Sequence, residues 1–345
     1  MSAGEYIAFV TYNSMLTWPI RMLGRVISDM GKAGISVDRI MYIMNSCTED
    51  EAPVIPGEYE KPGVPETPEI SGKTGISENP GIPEVPEVPG GNEDILPYMK
   101  GDIVFDHVTF SYDGVTPVLS DVSFTAPSGS TIGILGGTGS GKTTLMELLD
   151  RIYDLRDGDG RITVGGRDIR SFDRGEYRKH IGMVLQEPFL FSGTIRENIS
   201  VMDKNPDMND IERVVNIAAL RKTIKSFLKG YDTYVGERGV TLSGGQKQRT
   251  AIAQMLLRHT PVMIFDDSLS AVDADTDLRI REELSKNDDN GATKFLIAHR
   301  ISTIMNADLI IVLDKGRITE SGTHEELLKM NGRYKKIYDL QNRFR

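Results

Sequence analysis

Two acidic residues, Asp266 and Asp267, stand side by side at the end of the apolar run within "PVMIFDDSLSAVD", Pro261 to Asp273. An aspartate so placed can carry a metal, polarise a water or cap the next helix, and the three readings imply different activities. A second stretch narrows the choice: "GGTGSGKTT", Gly136 to Thr144, follows an apolar run and opens an amphipathic one. Its glycines, Gly136, Gly137, Gly139 and Gly141, with Thr138 and Ser140 between them, let successive backbone N–H groups turn toward phosphate oxygens. Lys142 then reaches the β and γ phosphates, the Thr143 hydroxyl binds Mg²⁺, and Thr144 completes the set. In a strand-to-helix context this is a P-loop, so the chain binds a nucleoside triphosphate. Asp266 follows from it. An acid that ends a buried strand supplies an outer carboxylate to the Mg²⁺ carried by Thr143. The four apolar residues leading into it weigh against a simple helix cap.

The elements that must position these residues are legible as alternation. "DIVFDHVTFSY" and "STIGILG" read as strands, "GKTTLMELLDRIYD" as a helix, "GRITVGGRDI" as a hairpin, and "PVMIFDD" and "TKFLIAH" as buried strands. Strands followed by helices imply an α/β fold with a largely parallel sheet, its ligand beyond the carboxyl ends of the strands.

The chain has 345 residues, ordinary charged and apolar fractions, and a formal net charge of −10. That balance, without a basic stripe, argues against a nucleic-acid partner. The single cysteine, Cys47, excludes an internal disulfide framework. Residues 1–47 read as a long apolar helix kinked near Pro19, membrane-facing in character. Its charge-free part, Tyr6 to Ile20, falls short of the roughly 18–20 residues of a self-sufficient span. Residues 48–97 carry a proline every few positions with acids between them, a composition that blocks helix and ladder alike and reads as a disordered linker. The globular pattern occupies 98–345.

"VTLSGGQKQRTAIAQMLLRH" gives these features a family. From Asp102 onward the chain resembles the nucleotide-binding domain of ATP-binding cassette (ABC) transporters: a P-loop NTPase fold with a mixed-sheet core and a helical subdomain. "LSGGQ" matches the ABC signature. Ser243, Gly244, Gly245 and Gln246 offer N–H donors at the start of an amphipathic helix, an anion site. The resemblance implies that this site faces the γ-phosphate of an ATP held by the opposite subunit. It also implies that Tyr112 in "FSYDG" stacks on adenine, that Gln186 in "MVLQEP" touches Mg²⁺ and the attacking water, and that His299 in "IAHR" contacts the γ-phosphate. Asp273 in "SAVD" would bridge the two subunits. Taken singly, each of the four has a plainer structural use. "VGERG", "GTHEELL" and the leading helix are similar to exporters, placing the cassette on the cytoplasmic face of the plasma (inner) membrane. Five preceding transmembrane helices are missing from the pattern.

Where active members of the family carry a glutamate to polarise the hydrolytic water, this sequence has Asp267. One methylene less sets the carboxylate back by about 1 Å, a displacement that can cost on the order of 100-fold in rate. The pattern resembles one half of a heterodimeric exporter with a slow site, a homodimer being the alternative pairing. Two other readings compete: a non-catalytic ATP-gated regulatory cassette, and a soluble ABC ATPase without transport.

Overall fold

In the computed structural model the described residues are 94–343, apart from 202, 204–205, 269–271 and 287–290, together with 4, 6–15, 22 and 41. Of the leading segment, residues 6–15 form an exposed helix, α1. Among the described residues no helix is long and apolar enough to cross a membrane. The kink read at Pro19, Cys47 and the linker to residue 93 lie outside the described residues. The folded unit starts earlier than residue 98: α2 (Leu96–Met99) turns inside the range assigned to the linker, because Ile95 and Met99 are buried core residues.

The order thereafter is β1 (Ile103–Phe110), β2 (Leu119–Ala126), β3 (Thr131–Gly136), α3 (Lys142–Leu149), β4 (Arg161–Val164), β5 (Arg167–Asp168), α4 (Arg174–Lys179), β6 (Ile181–Val184) and β7 (Gly193–Thr194). A helical stretch follows, α5 (Ile195–Ile199), α6 (Met208–Ile217) and α7 (Arg221–Ser226), then β8 (Tyr234–Val235), α8 (Gly244–Leu257), β9 (Val262–Asp266) and α9 (Ala274–Lys286). The chain continues through β10 (Thr293–Ala298), α10 (Ile301–Ile304), β11 (Leu309–Asp314), β12 (Arg317–Gly322), α11 (His324–Lys329) and α12 (Arg333–Arg343).

Six strands form one sheet in the order β12-β11-β3-β10-β9-β6, parallel except for the edge strand β12. Its inner strands are apolar at almost every position because both faces are covered. Successive residues go to opposite layers: Val262 and Ile264 join Phe295, Ile297 and the α3 residues on one side, while Met263 and Phe265 join Leu296 and the α8 residues on the other. A separate antiparallel sheet, β2-β1-β4-β5, covers the α3 side. The β4–β5 hairpin turns on Gly165 and Gly166, both at positive φ (58° and 80°), as a two-residue turn of this hand requires.

Helix α3 ends sooner than the amphipathic pattern suggests. Ile152 N–H reaches Glu147 O at 2.8 Å and Arg151 N–H reaches Leu148 O at 3.1 Å, with Arg151 left-handed at φ 55°. This is a Schellman stop, made here without the usual glycine. The cap, Asp150, faces the negative end of the helix, and burial pushes its carboxyl up to about 6 against the pull of Arg178 and Arg258. A carboxyl raised above its unfolded value favours folding fully below about pH 4 and loses that contribution as pH rises through 6. The advantage of Asp150→Asn over wild type is therefore expected to grow between pH 4 and 7.5, by at most about 2–3 kcal/mol, in denaturant unfolding at the two pH values.

Candidate functional site

Strand register brings the candidate residues to one edge. Leu135 of β3 pairs with Ala298 of β10, Ile297 of β10 with Asp266 of β9, and Phe265 of β9 with Val184 of β6. The loops leaving these four adjacent strands carry, in spatial order, the P-loop, His299, the Asp266–Asp267 pair and Gln186. Strands about 4.8 Å apart thus line up groups that are up to 163 positions apart in sequence, Gly136 to His299.

The loop from Gly136 to Gly141 closes on itself. Gly141, at φ 98°, is the N-cap of α3, and a Cβ there would lie 2.6 Å from the Leu119 side chain. Lys142 is buried and folds back, donating from Nζ to the carbonyls of Gly136 and Gly137, both at 2.9 Å. Burial lowers its pKa, and Asp266 and Asp267 together counter that effect. Among the described residues, a Cβ on Gly137 or Gly139 would meet nothing within 4 Å and the Ser140 hydroxyl is buried without a partner. An open face above the loop, spare donors and a sequestered ammonium fit a phosphate chain.

The acid pair divides its work. Thr143 Oγ1 donates to Asp266 Oδ2 at 3.1 Å, which joins the two residues expected to share Mg²⁺. Burial pushes the Asp266 carboxyl up; Thr143, Lys142 and His299 oppose this, Asp267 reinforces it, and the net shift remains upward. A buried carboxylate beside a second acid, joined to a threonine hydroxyl, offers the oxygen ligands that suit a hard divalent cation. Asp267 sits one residue past the strand at φ 44°, its N–H held by Ile297 O at 3.0 Å. Its side chain is half-buried at the mouth of the cradle.

Tyr112 is 41% exposed. Its ring stands edge-on to Phe110 and Tyr153 at 5.1 Å from each, and its hydroxyl bonds Thr144 Oγ1 at 2.8 Å and Glu147 Oε2 at 3.0 Å. The ring is thereby fixed beside the first turn of α3. Gln186 has an exposed side chain, and its backbone carbonyl accepts from Gln248 Nε2 of α8 at 3.2 Å. His299 is exposed at the end of β10. Asp273 caps α9 by accepting from Thr276 N–H at 3.0 Å, and the Thr276 bonds hold its carboxyl below the usual range.

The signature residues form a capping box at the start of α8. Ser243 N–H reaches Gln246 Oε1 at 2.9 Å and Gln246 N–H reaches Ser243 Oγ at 3.4 Å, with Gly244 exposed and Gly245 half-exposed. Among the described residues no hydrogen bond joins this segment to the P-loop. Ser243→Ala is expected to cost about 0.5–1 kcal/mol in urea unfolding, the low end for a cap because one limb is long, while ATP affinity at this chain's own P-loop stays unchanged in titration.

Two polar residues escaped the sequence reading. Gln248 is buried on the apolar stripe of α8 with Ala251, Ile252 and Met255. Gln341 occupies the same kind of slot on α12, after Tyr334, Ile337 and Tyr338. A polar residue at a core-facing slot is the signal that could have found both.

Comparison with known proteins agrees with this geometry. The ABC transporter family matches residues 119–270. A probable multidrug resistance ABC transporter ATP-binding/permease protein of Bacillus subtilis is 36% identical over 345 residues, covering 100% of this chain and 52% of the relative. An ATP-dependent lipid A-core flippase of Sodalis glossinidius is 43% identical over 245 residues, covering 70% and 42%. Among solved structures, a bacterial Atm1-family ABC exporter with ATP bound superposes with a TM-score of 0.67 at 38% identity, covering 70% of this chain and 42% of that one. The chain spans about half the length of the curated relatives it matches. The P-loop, the acid pair and the signature lie on one contiguous, matching fold, and the chain belongs to the ABC transporter family.

Proposed function

We propose that this chain is the ATP-binding part of an ABC exporter, using ATP binding and hydrolysis between two cassettes to power efflux, and that its own site turns over slowly. The observation that carries the reading is the Thr143–Asp266 hydrogen bond at 3.1 Å, set at the mouth of the Lys142 cradle with an aspartate as the next residue. Lys142 exchanges its two loop carbonyls for β- and γ-phosphate oxygens. Thr143, Asp266 and Gln186 would hold Mg²⁺, which would supply positive charge to the phosphate oxygens. Asp267 is the group placed to orient the attacking water and accept its proton as the Pγ–O bond to water forms and the bond to the β-phosphate oxygen breaks. Its short reach makes that transfer inefficient.

Tyr112 supplies the face for adenine. His299 contacts the γ-phosphate, and Asp273 bridges to the second cassette. Ser243 to Gln246, remote in hydrogen bonding from this chain's own P-loop, serve a nucleotide on that partner. A glutamate-bearing partner, hence a heterodimer, suits an aspartate here. The permease and flippase names of the relatives support a membrane location with transmembrane helices as partners; within that reading the cassette lies on the cytoplasmic face of the plasma (inner) membrane.

The test is Mg²⁺-ATP hydrolysis by the full chain, wild type beside Asp267→Glu, at concentrations that allow dimers. A nearly inert wild type and an active variant support the slow-site reading. Equal, substantial turnover by both overturns it in favour of a self-sufficient homodimer. Turnover absent from both, even with a glutamate-bearing partner, favours the ATP-gated regulator.

A further inference from the structure

The backbone on either side of Arg300 is gripped by one side chain from a distant helix. Gln341 of α12 accepts the Ile301 N–H on Oε1 at 2.9 Å and donates from Nε2 to the His299 carbonyl at 2.8 Å. The geometry explains a gap at the start of α10, whose N-cap Arg300 makes no side-chain cap bond. Gln341 therefore does from 40 positions away what a capping serine would do locally, and one planar amide fixes the exposed histidine's own carbonyl and the N–H two residues beyond it.

Its support is rigid without it. Tyr334 of α12 is fully buried, its hydroxyl bonds His324 Nδ1 at 2.6 Å, and Glu320 of β12 accepts from the Arg333 and Tyr334 N–H groups at the start of the helix. On the far side, Arg281 of α9 donates to the carbonyls of Ser302 and Thr303 at 2.8 and 3.1 Å. It is anchored by its ion pair with Asp277 at 3.0 Å. The segment 299–303 is thus clamped from two helices, with the histidine at the Gln341 end.

We infer that Gln341 is a positioning residue for His299, making α12 the element that sets where the histidine stands when nucleotide binds. The inference rests on the reading of His299 as the γ-phosphate contact. A bidentate amide removes rotation of the 299–301 peptide units, and small misplacements at a reacting centre are costly in rate.

The test uses the full chain, with NMR of the Ile301 amide and the His299 ring, thermal unfolding, and turnover measured in the Asp267→Glu background alongside His299→Ala. Gln341→Leu is expected to speed exchange of the Ile301 amide about tenfold, the worth of one net hydrogen bond. It should also shift and broaden the His299 ring signals, while the thermal midpoint and the exchange of other α10 and α12 amides stay close to wild type. Gln341→Glu keeps the acceptor for Ile301 but sets oxygen against the His299 carbonyl, so it should restore Ile301 protection and leave the His299 signals displaced. In turnover, Gln341→Leu should lower kcat about three- to tenfold at unchanged KM and add nothing to His299→Ala. Unchanged Ile301 exchange and His299 signals overturn the proposal, as does a uniform loss of protection along α12, which would mean that the helix has merely undocked. Losses in kcat that add to those of His299→Ala overturn it as well. If the NMR changes appear but His299→Ala leaves turnover intact, the bracket stands and the assignment of His299 to the phosphate fails.

Discussion

Asp267→Glu is expected to raise Mg²⁺-ATP hydrolysis on the order of 100-fold at nearly unchanged ATP affinity. The rate gain follows from reach, since a catalytic carboxylate displaced by about 1 Å loses about that factor. Affinity is spared because the groups placed to hold the phosphates and the cation, Lys142, Thr143 and Asp266, are already joined to one another or to the loop. Among the described residues, Asp267 is tied down only through its backbone, by the 3.0 Å bond from its N–H to Ile297 O. The longer side chain therefore extends from a fixed root. It also meets a backbone cost. At φ 44° aspartate is tolerated better than most residues, so glutamate should lower unfolding stability by less than about 1 kcal/mol. A steady-state assay, ATP titration and urea unfolding on the same preparation separate the three effects. A faster, equally tight and slightly less stable variant is the expected combination.

The parts of this molecule that were legible in sequence are those set by local pattern. The P-loop spacing, the apolar runs within β3, β9 and β10 and the Gly165–Gly166 hairpin each follow from residue type at fixed offsets. Strand order does not, because it is decided by how β3 inserts between β10 and β11. The alignment of Asp266, His299 and Gln186 on one edge had to be borrowed from the family resemblance. Gln248 and Gln341 were missed for a related reason: each bonds a backbone group far away in sequence, Gln186 O and the 299–301 peptides, and nothing local to either residue names its partner. Asp273 shows the reverse case. Its observed bond is the plain helix cap, and the proposed bridging role would add a second use for the same carboxylate.

Helix α3 ends at Leu149, five residues short of the Asp154 end that the pattern predicts, because the residue that stops it is an arginine rather than a glycine. Arg151 takes the left-handed C′ position at φ 55°, which costs a non-glycine residue about 1–2 kcal/mol. The offset is its guanidinium, which is 7% exposed. Nε donates to Asp154 Oδ1 at 2.9 Å, and Nη1 donates to the carbonyls of Ile169 and Phe172 at 3.0 and 2.8 Å. Burial alone would raise the Asp154 carboxyl; the bonds and charges of Arg151 and Arg174 override it and hold it below the ordinary range. Arg151→Leu is then expected to destabilise by about 3–5 kcal/mol, the loss for breaking one side of a buried pair. The deficit should be greatest at neutral pH. A depressed carboxyl contributes its stability above the unfolded pKa and loses it as pH falls through the folded value. Below about pH 4 wild type forfeits that contribution, and the variant, whose Asp154 protonates more readily, has less to lose. Arg151→Gly removes the same ion pair and the strain together, so it should be more stable than Arg151→Leu by about 1 kcal/mol. Denaturant unfolding of both variants at pH 7 and at about pH 2.5 measures the two terms separately: the difference between variants reports the backbone strain, and the convergence with wild type in acid reports the charge.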